Sequence, residues 1–231
     1  MQKPVRVSTL ALTVTVSLMS LTLSGCETSD DRTLASGQAC LDSATTAAQA
    51  NQCVTLVQGL TSQESYMIRC SANFVAQGFT GSRVANAVAN INSHSSTDAT
   101  TGLIAFLVFK QASPTADEAI TNCTASGSKS MLRLATAAKM ATVIGGLTVN
   151  PDSSTAAADM QTAVNTMIAS GSAQSKIDLG NTAIIASTAF CGDGSTYAGT
   201  QVCTDLQGAV NSSGDPTTIA NALLNLLKAA H

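Results

Sequence analysis

The sequence predicts an all-α protein of about ten helices, arranged as a helical-hairpin array or a compact multi-helix bundle. Three observations predict this class. Alanine is frequent and β-branched runs are short, which favours helix. From Leu34 onward apolar residues recur at spacings of three and four, and no alternation of period two is sustained, so no sheet is expected. The chain of 231 residues holds five Phe, two Tyr and no Trp, so its core must be built from Ala, Val, Leu and Ile. Such small side chains let helix axes approach closely. They also bury less area per residue than aromatics do, so covalent staples become useful.

The chain opens with a basic start (Lys3, Arg6) and an uncharged, mostly apolar stretch from Val7 to Leu23, followed by Ser24, Gly25 and Cys26. A short basic region, an apolar region and small residues before a cut describe a secretory signal. Seven Ser and Thr between Ser8 and Thr22 weaken the alternative of a permanent membrane helix. Leu23-Ser24-Gly25-Cys26 resembles the lipobox of bacterial lipoproteins. The resemblance implies a signal peptide over residues 1–25 and acyl chains such as palmitate on Cys26, which becomes the mature N-terminus. Two or more acyl chains give stable membrane attachment. Glu27 follows, where Asp is the stronger inner-membrane signal in such lipoproteins, so the resemblance implies the outer membrane. Residues 27–33 are polar and acidic and read as a tether reaching at most roughly 25 Å. Residues 34–231 are then a single helical domain.

Within that domain the pattern predicts helices over 34–47, 51–60, 63–78 and 81–92, with Gly78 and Gly81 marking a break. Residues 92–97 read as a Ser-rich loop around His94. The apolar run 103–109 suits a strand or a buried helix, and its helical neighbours favour a helix over 101–111. Ser113-Pro114-Thr115 opens the next helix, with Thr115 as cap and Glu118 completing a capping box. Ser126-Gly127-Ser128 separates it from a helix over 129–145, ended by Gly145-Gly146. Residues 150–153 form a turn, and helices follow over 154–169, 173–190 and 200–212. Asp215 caps the last helix and Pro216 suits its first turn. Its seam of Ile219, Leu223, Leu226 and Leu227 is expected to face the body.

Six cysteines remain besides Cys26, namely Cys40, Cys53, Cys70, Cys123, Cys191 and Cys203. An even number in an exported chain reads as a disulfide set. Cys191 and Cys203 flank a turn-rich stretch and rank first as a pair. Cys40 and Cys53 rank second, as a staple across a helical hairpin, and Cys70–Cys123 follows by elimination. Buried free thiols are the alternative. A zinc site is not expected, because no CxxC occurs and the mature chain has only His94 and His231 as histidines. No cofactor is implied.

Residues 34–91 resemble two helix–turn–helix units of the tetratricopeptide type. Cys53, Val57 and Leu60 match the second helix of the first unit, and Cys40 and Leu41 its first helix. Those two places touch in such hairpins, which supports a Cys40–Cys53 bridge. Cys70, Phe74 and Gly78, then Ala85, Val88 and Ile91, match the second unit. The whole arrangement resembles helical-repeat lipoproteins of Gram-negative bacteria. That resemblance implies a scaffold or binding role.

Residues 1–25 hold two of the eleven basic residues and none of the fourteen acidic ones. Cleavage leaves nine basic against fourteen acidic residues, a net charge of −5. This argues against nucleic acid, whose binding needs basic clusters, and against adsorption to anionic lipid. His94, with Asp98 beside it, is the only internal base for a nucleophile and reads as a solvated loop residue. Asp117, Glu118, Asp152, Asp159, Asp178 and Asp193 suit helix starts and exposed faces. Gly192-Asp193-Gly194 lacks both phosphate-loop and calcium-loop spacing. It reads as a disulfide-closed surface loop in which Asp193 and Tyr197 are the candidate partner contacts. The expected function is a lipid-anchored envelope scaffold or accessory subunit that binds a protein or peptide and is not an enzyme. The alternative is a periplasmic hydrolase of cell-wall or small polymer substrates.

Overall fold

The computed structural model describes residues 28–80, 83, 102–110, 114–146, 148–192, 195–196, 198–211 and 214–229. The signal segment, Cys26, the expected 81–92 helix apart from Arg83, His94, Asp193, Tyr197 and His231 lie outside them. Among the described residues there is no strand, and nine helices of eleven residues or more carry the fold. They are α1 (Ser29–Ser43), α2 (Ala47–Val57), α3 (Gln63–Ala76), α4 (Pro114–Ala125), α5 (Lys129–Gly145), α6 (Ala156–Ser170), α7 (Ala173–Cys191), α8 (Gln201–Asn211) and α9 (Pro216–Ala229). A short helical stretch over 102–106 adds a tenth segment.

Helix starts are set by caps. Thr46, Ser62, Ser128 and Ser172 each accept a bond from the backbone N–H three residues on, which satisfies a donor the helix itself cannot. Asp215 does the same for α9, where Thr218 N–H donates to its carboxylate at 2.8 Å. α1 departs from expectation. It starts at Ser29 rather than Leu34, because Thr28 and Asp31 form a reciprocal capping box. Most of the expected tether is therefore helix. The first hairpin turn falls at residues 44–46, since Thr46 and Gln49 form a second box. In α4 the helix already includes Pro114, so Thr115 lies inside the first turn and is not the cap. Proline's fixed φ suits that first position.

The packing order combines both expected architectures. α1, α2 and α3 pack in succession, α3 packs on α4 and α4 on α5, as in a hairpin array. From α5 the chain closes into a bundle. α5 contacts both α6 and α7, and α9 returns against α6, α7 and α8. In α9, Ile219, Ala220 and Leu224 are buried, with Leu223 and Leu227 packed beside them. Leu226, expected on this seam, is exposed instead. The buried stripe runs through Ile219, Ala220, Leu223, Leu224 and Leu227 and leaves Leu226 off it.

Four apolar clusters form the core. Leu41, Val57 and Ile68 anchor the first, between α1, α2 and α3. Phe74, Phe109 and Ala135 belong to the second, around α3, α4 and α5. Val108, Ile144, Met160 and Leu179 belong to the third, which joins α5, α6, α7 and α9. Ala183, Leu206 and Ile219 join α7, α8 and α9 in the fourth. All three expected disulfides are present, with Cα separations of 5.5 Å for Cys40–Cys53, 4.9 Å for Cys70–Cys123 and 5.4 Å for Cys191–Cys203. Two glycines mark close approaches. A Cβ on Gly37 would meet the Val57 side chain at 2.5 Å, and one on Gly180 would overlap the Pro216 carbonyl at the start of α9.

The 103–109 run is helical only through Phe106. Val108 and Phe109 are buried outside any helix, so their backbone groups need side-chain partners. Phe109 N–H donates to the Thr142 hydroxyl at 2.9 Å. The Arg83 guanidinium donates to the carbonyls of Phe106 at 2.8 Å and Val108 at 3.1 Å, and to that of Gln77 at 2.5 Å. Arg83 lies over the rings of Phe79 and Phe106 and pairs with Asp152 at 3.4 Å. Burial pushes its pKa down, and the Asp152 carboxylate opposes that shift.

Candidate functional site

α5 and α7 run antiparallel, and a groove of about 500 Å³ opens between the first turns of α5 and the last turns of α7. Its volume lies within the range of about 300–1,000 Å³ usual for ligand sites. Lys129, Leu132 and Arg133 line one wall, at helical spacings of three and four. Ile184, Ile185, Thr188 and Ala189 line the other. Ile185 is 38% exposed, and Leu132 and Ile184 are half-buried.

One end of the groove is closed by the segment that follows α7. Gly192 and Ser195 line it there, at the foot of the loop closed by Cys191–Cys203. Arg133 fixes this corner. Its Nε donates to the Ala189 carbonyl at 2.8 Å and its Nη2 to the Ser195 hydroxyl at 3.1 Å. The Ser195 hydroxyl in turn donates to the Phe190 carbonyl. These bonds satisfy carbonyls that the end of α7 leaves without intrahelical partners. The loop's base is thus held by a disulfide and by side-chain bonds from α5.

The six cysteines are all engaged in disulfides. The candidate contacts Asp193 and Tyr197 lie outside the described residues, as does Cys26. The candidate acids do not converge. Asp117 pairs with buried Lys139 at 2.9 Å, and Asp152 pairs with Arg83 and Lys110. Asp159 accepts from Thr155, and Asp178 accepts from Gln174. Among the described residues, no three His, Cys, Asp or Glu side chains gather in a metal-binding group, and no helix is long and apolar enough to cross a membrane.

A second hollow of about 400 Å³ lies between the end of α5, α6 and the start of α7. Its Thr162 and Thr166 hydroxyls donate to their own helix, to the carbonyls of Ala158 and Thr162. Its acid, Asp159, is already bonded to Thr155. The first groove is the larger of the two and the more apolar in its lining. Sequence reading pointed to the loop and missed the groove beside it. No single residue signalled it, because adjacent apolar residues such as Ile184 and Ile185 also occur on ordinary buried helix stripes.

The chain matches no protein-family profile, no curated protein and no solved structure.

Proposed function

We propose that the protein is an envelope lipoprotein, held through acyl chains on Cys26, most readily at the outer membrane, that binds a protein or peptide segment as a scaffold or accessory subunit. The apolar groove between α5 and α7 carries the binding half of this reading, because it joins exposed aliphatic surface to a covalently closed loop. The Leu23–Cys26 lipobox carries the anchoring half. The resemblance of the 34–91 sequence to tetratricopeptide units supports the same role, and the Cys40–Cys53 bridge joins α1 to α2.

Two experiments test the two halves. Metabolic labelling with a fatty-acid probe should modify the protein, and Cys26→Ser should abolish both labelling and membrane fractionation. An unlabelled wild-type protein sinks the anchor. A photo-crosslinking residue at Ile185 should capture one abundant envelope protein in whole cells, and the same residue at exposed Thr55 on α2 should not. Equal capture at both positions, or none at Ile185, sinks the scaffold role.

A further inference from the structure

We infer that the α5–α7 groove receives an apolar segment of a partner protein that carries a carboxylate at the Lys129 end. This rests on the binding role proposed above and names the chemistry of the occupant. The apolar requirement follows from Leu132, Ile184 and Ile185, which face the opening from both walls. Two parallel walls with helical side-chain spacing suit a segment presenting apolar residues at three- and four-residue intervals.

The charge requirement follows from Lys129. It is exposed at the first position of α5, lines the groove and forms no ion pair among the described residues. The first turn of α5 contains no acid, although acids are the residues favoured there. No described residue lining the groove is acidic, in a chain whose acids outnumber its bases fourteen to eleven. A carboxylate on the partner would supply the missing counter-charge. Lys129 would then fix the direction in which the segment lies, while the apolar contacts supply most of the affinity.

A phage-displayed random peptide library, selected on the whole disulfide-bonded mature protein in detergent, tests this. Enriched peptides should share apolar residues at helical spacing and an Asp or Glu near one end. Ile185→Asp and Thr188→Trp, both at exposed positions, should each weaken binding about tenfold. Lys129→Glu should weaken it about fivefold, and a peptide whose acid is exchanged for Lys should recover the loss on that variant. Circular dichroism confirms that each variant stays folded. Peptides with no acidic preference, or a Lys129→Glu variant that binds them unchanged, overturn the charge assignment while the groove reading stands. An absence of binders, or binders indifferent to both groove variants, overturns the groove itself. Self-association abolished by Ile185→Asp makes a second copy the occupant and overturns the partner assignment.

Discussion

Three of the five arginines close backbone groups that helices leave open. Arg69 donates to the carbonyls of Val57, Gln58 and Leu60 at the end of α2. Arg133 does so at the end of α7, and Arg83 serves the carbonyls of Phe106, the last residue of the 102–106 helix, and of Val108 beyond it. A planar guanidinium with several donors suits this task better than an ammonium on a flexible stem. Arg83 is 7% exposed, so its loss would strand buried carbonyls. Arg83→Met should lower unfolding free energy by about 3 kcal/mol, and Arg83→Lys should recover only part of it. Denaturant unfolding followed by circular dichroism measures both, and a loss within experimental error for Arg83→Met would refute the capping role. Gly180 answers to packing alone. A methyl there would push the start of α9 away from α7, so Gly180→Ala should destabilise by about 2 kcal/mol, despite alanine's better helix propensity. A stabilised variant would show that the approach is looser than described.

The helices differ in how firmly their ends are set, and two ends have consequences. α1 begins one residue after Thr28, so only Glu27 separates Cys26 from the capping residue. If Cys26 carries lipid, about 7 Å of chain links it to the folded body, in place of the 25 Å tether the polar composition suggested. At the other end of the chain, Asp215 accepts from the backbone and side chain of Thr218, and these bonds hold its pKa below the ordinary 3.8. The folded state therefore binds this proton less readily than the unfolded state does. The stabilisation is complete above pH 3.8 and is lost as pH falls through the lowered folded-state value. In Asp215→Asn, a neutral cap, the fall in thermal stability between pH 7 and pH 2 should be smaller than in the wild type. Equal falls would show that the cap is not ionised when it acts. Asp215 was legible in the sequence because Asp-Pro before an apolar stripe has one good reading. So were Ser126–Ser128 and the span of α5, where capping, periodicity and a Gly-Gly stop agree. Thr28-x-x-Asp31 was not, because Asp in place of Glu or Gln looks like more polar tether. The 108–109 break was not, because the side chains that complete those backbone groups, Arg83 and Thr142, lie about 25 and 33 residues away along the chain. The groove was invisible for a related reason: Leu132 and Ile185 read as ordinary helix residues until α5 and α7 are set side by side.

At the scale of the whole molecule, the disulfides are unevenly distributed among the apolar clusters. The first, second and fourth apolar clusters each contain disulfide cysteines. The third, with Met160, Met167, Leu179, Leu224 and Ile144, contains no cysteine. That cluster has the most buried side chains of the four, and the apolar area they bury holds it together without a cross-link. The three bridges are not equal. Cys40–Cys53 and Cys191–Cys203 close segments of 13 and 12 residues, and Cys70–Cys123 closes 53. It also ties α3 to α4 across the stretch that separates them in sequence, beside four phenylalanines packed edge to face. In the chain-entropy account, the short bridges stabilise by about 3 kcal/mol each and the long one by about 4. Paired replacement of Cys70 and Cys123 by alanine should therefore destabilise more than either other paired replacement. It should also raise the dependence of unfolding free energy on denaturant, because the unfolded chain expands when its longest loop is released. Circular dichroism is the suitable probe, since the chain has no tryptophan. If removing Cys191–Cys203 proves the most damaging instead, the rigidity of the molecule is centred on the groove-side loop, and α3 and α4 are held together by packing alone.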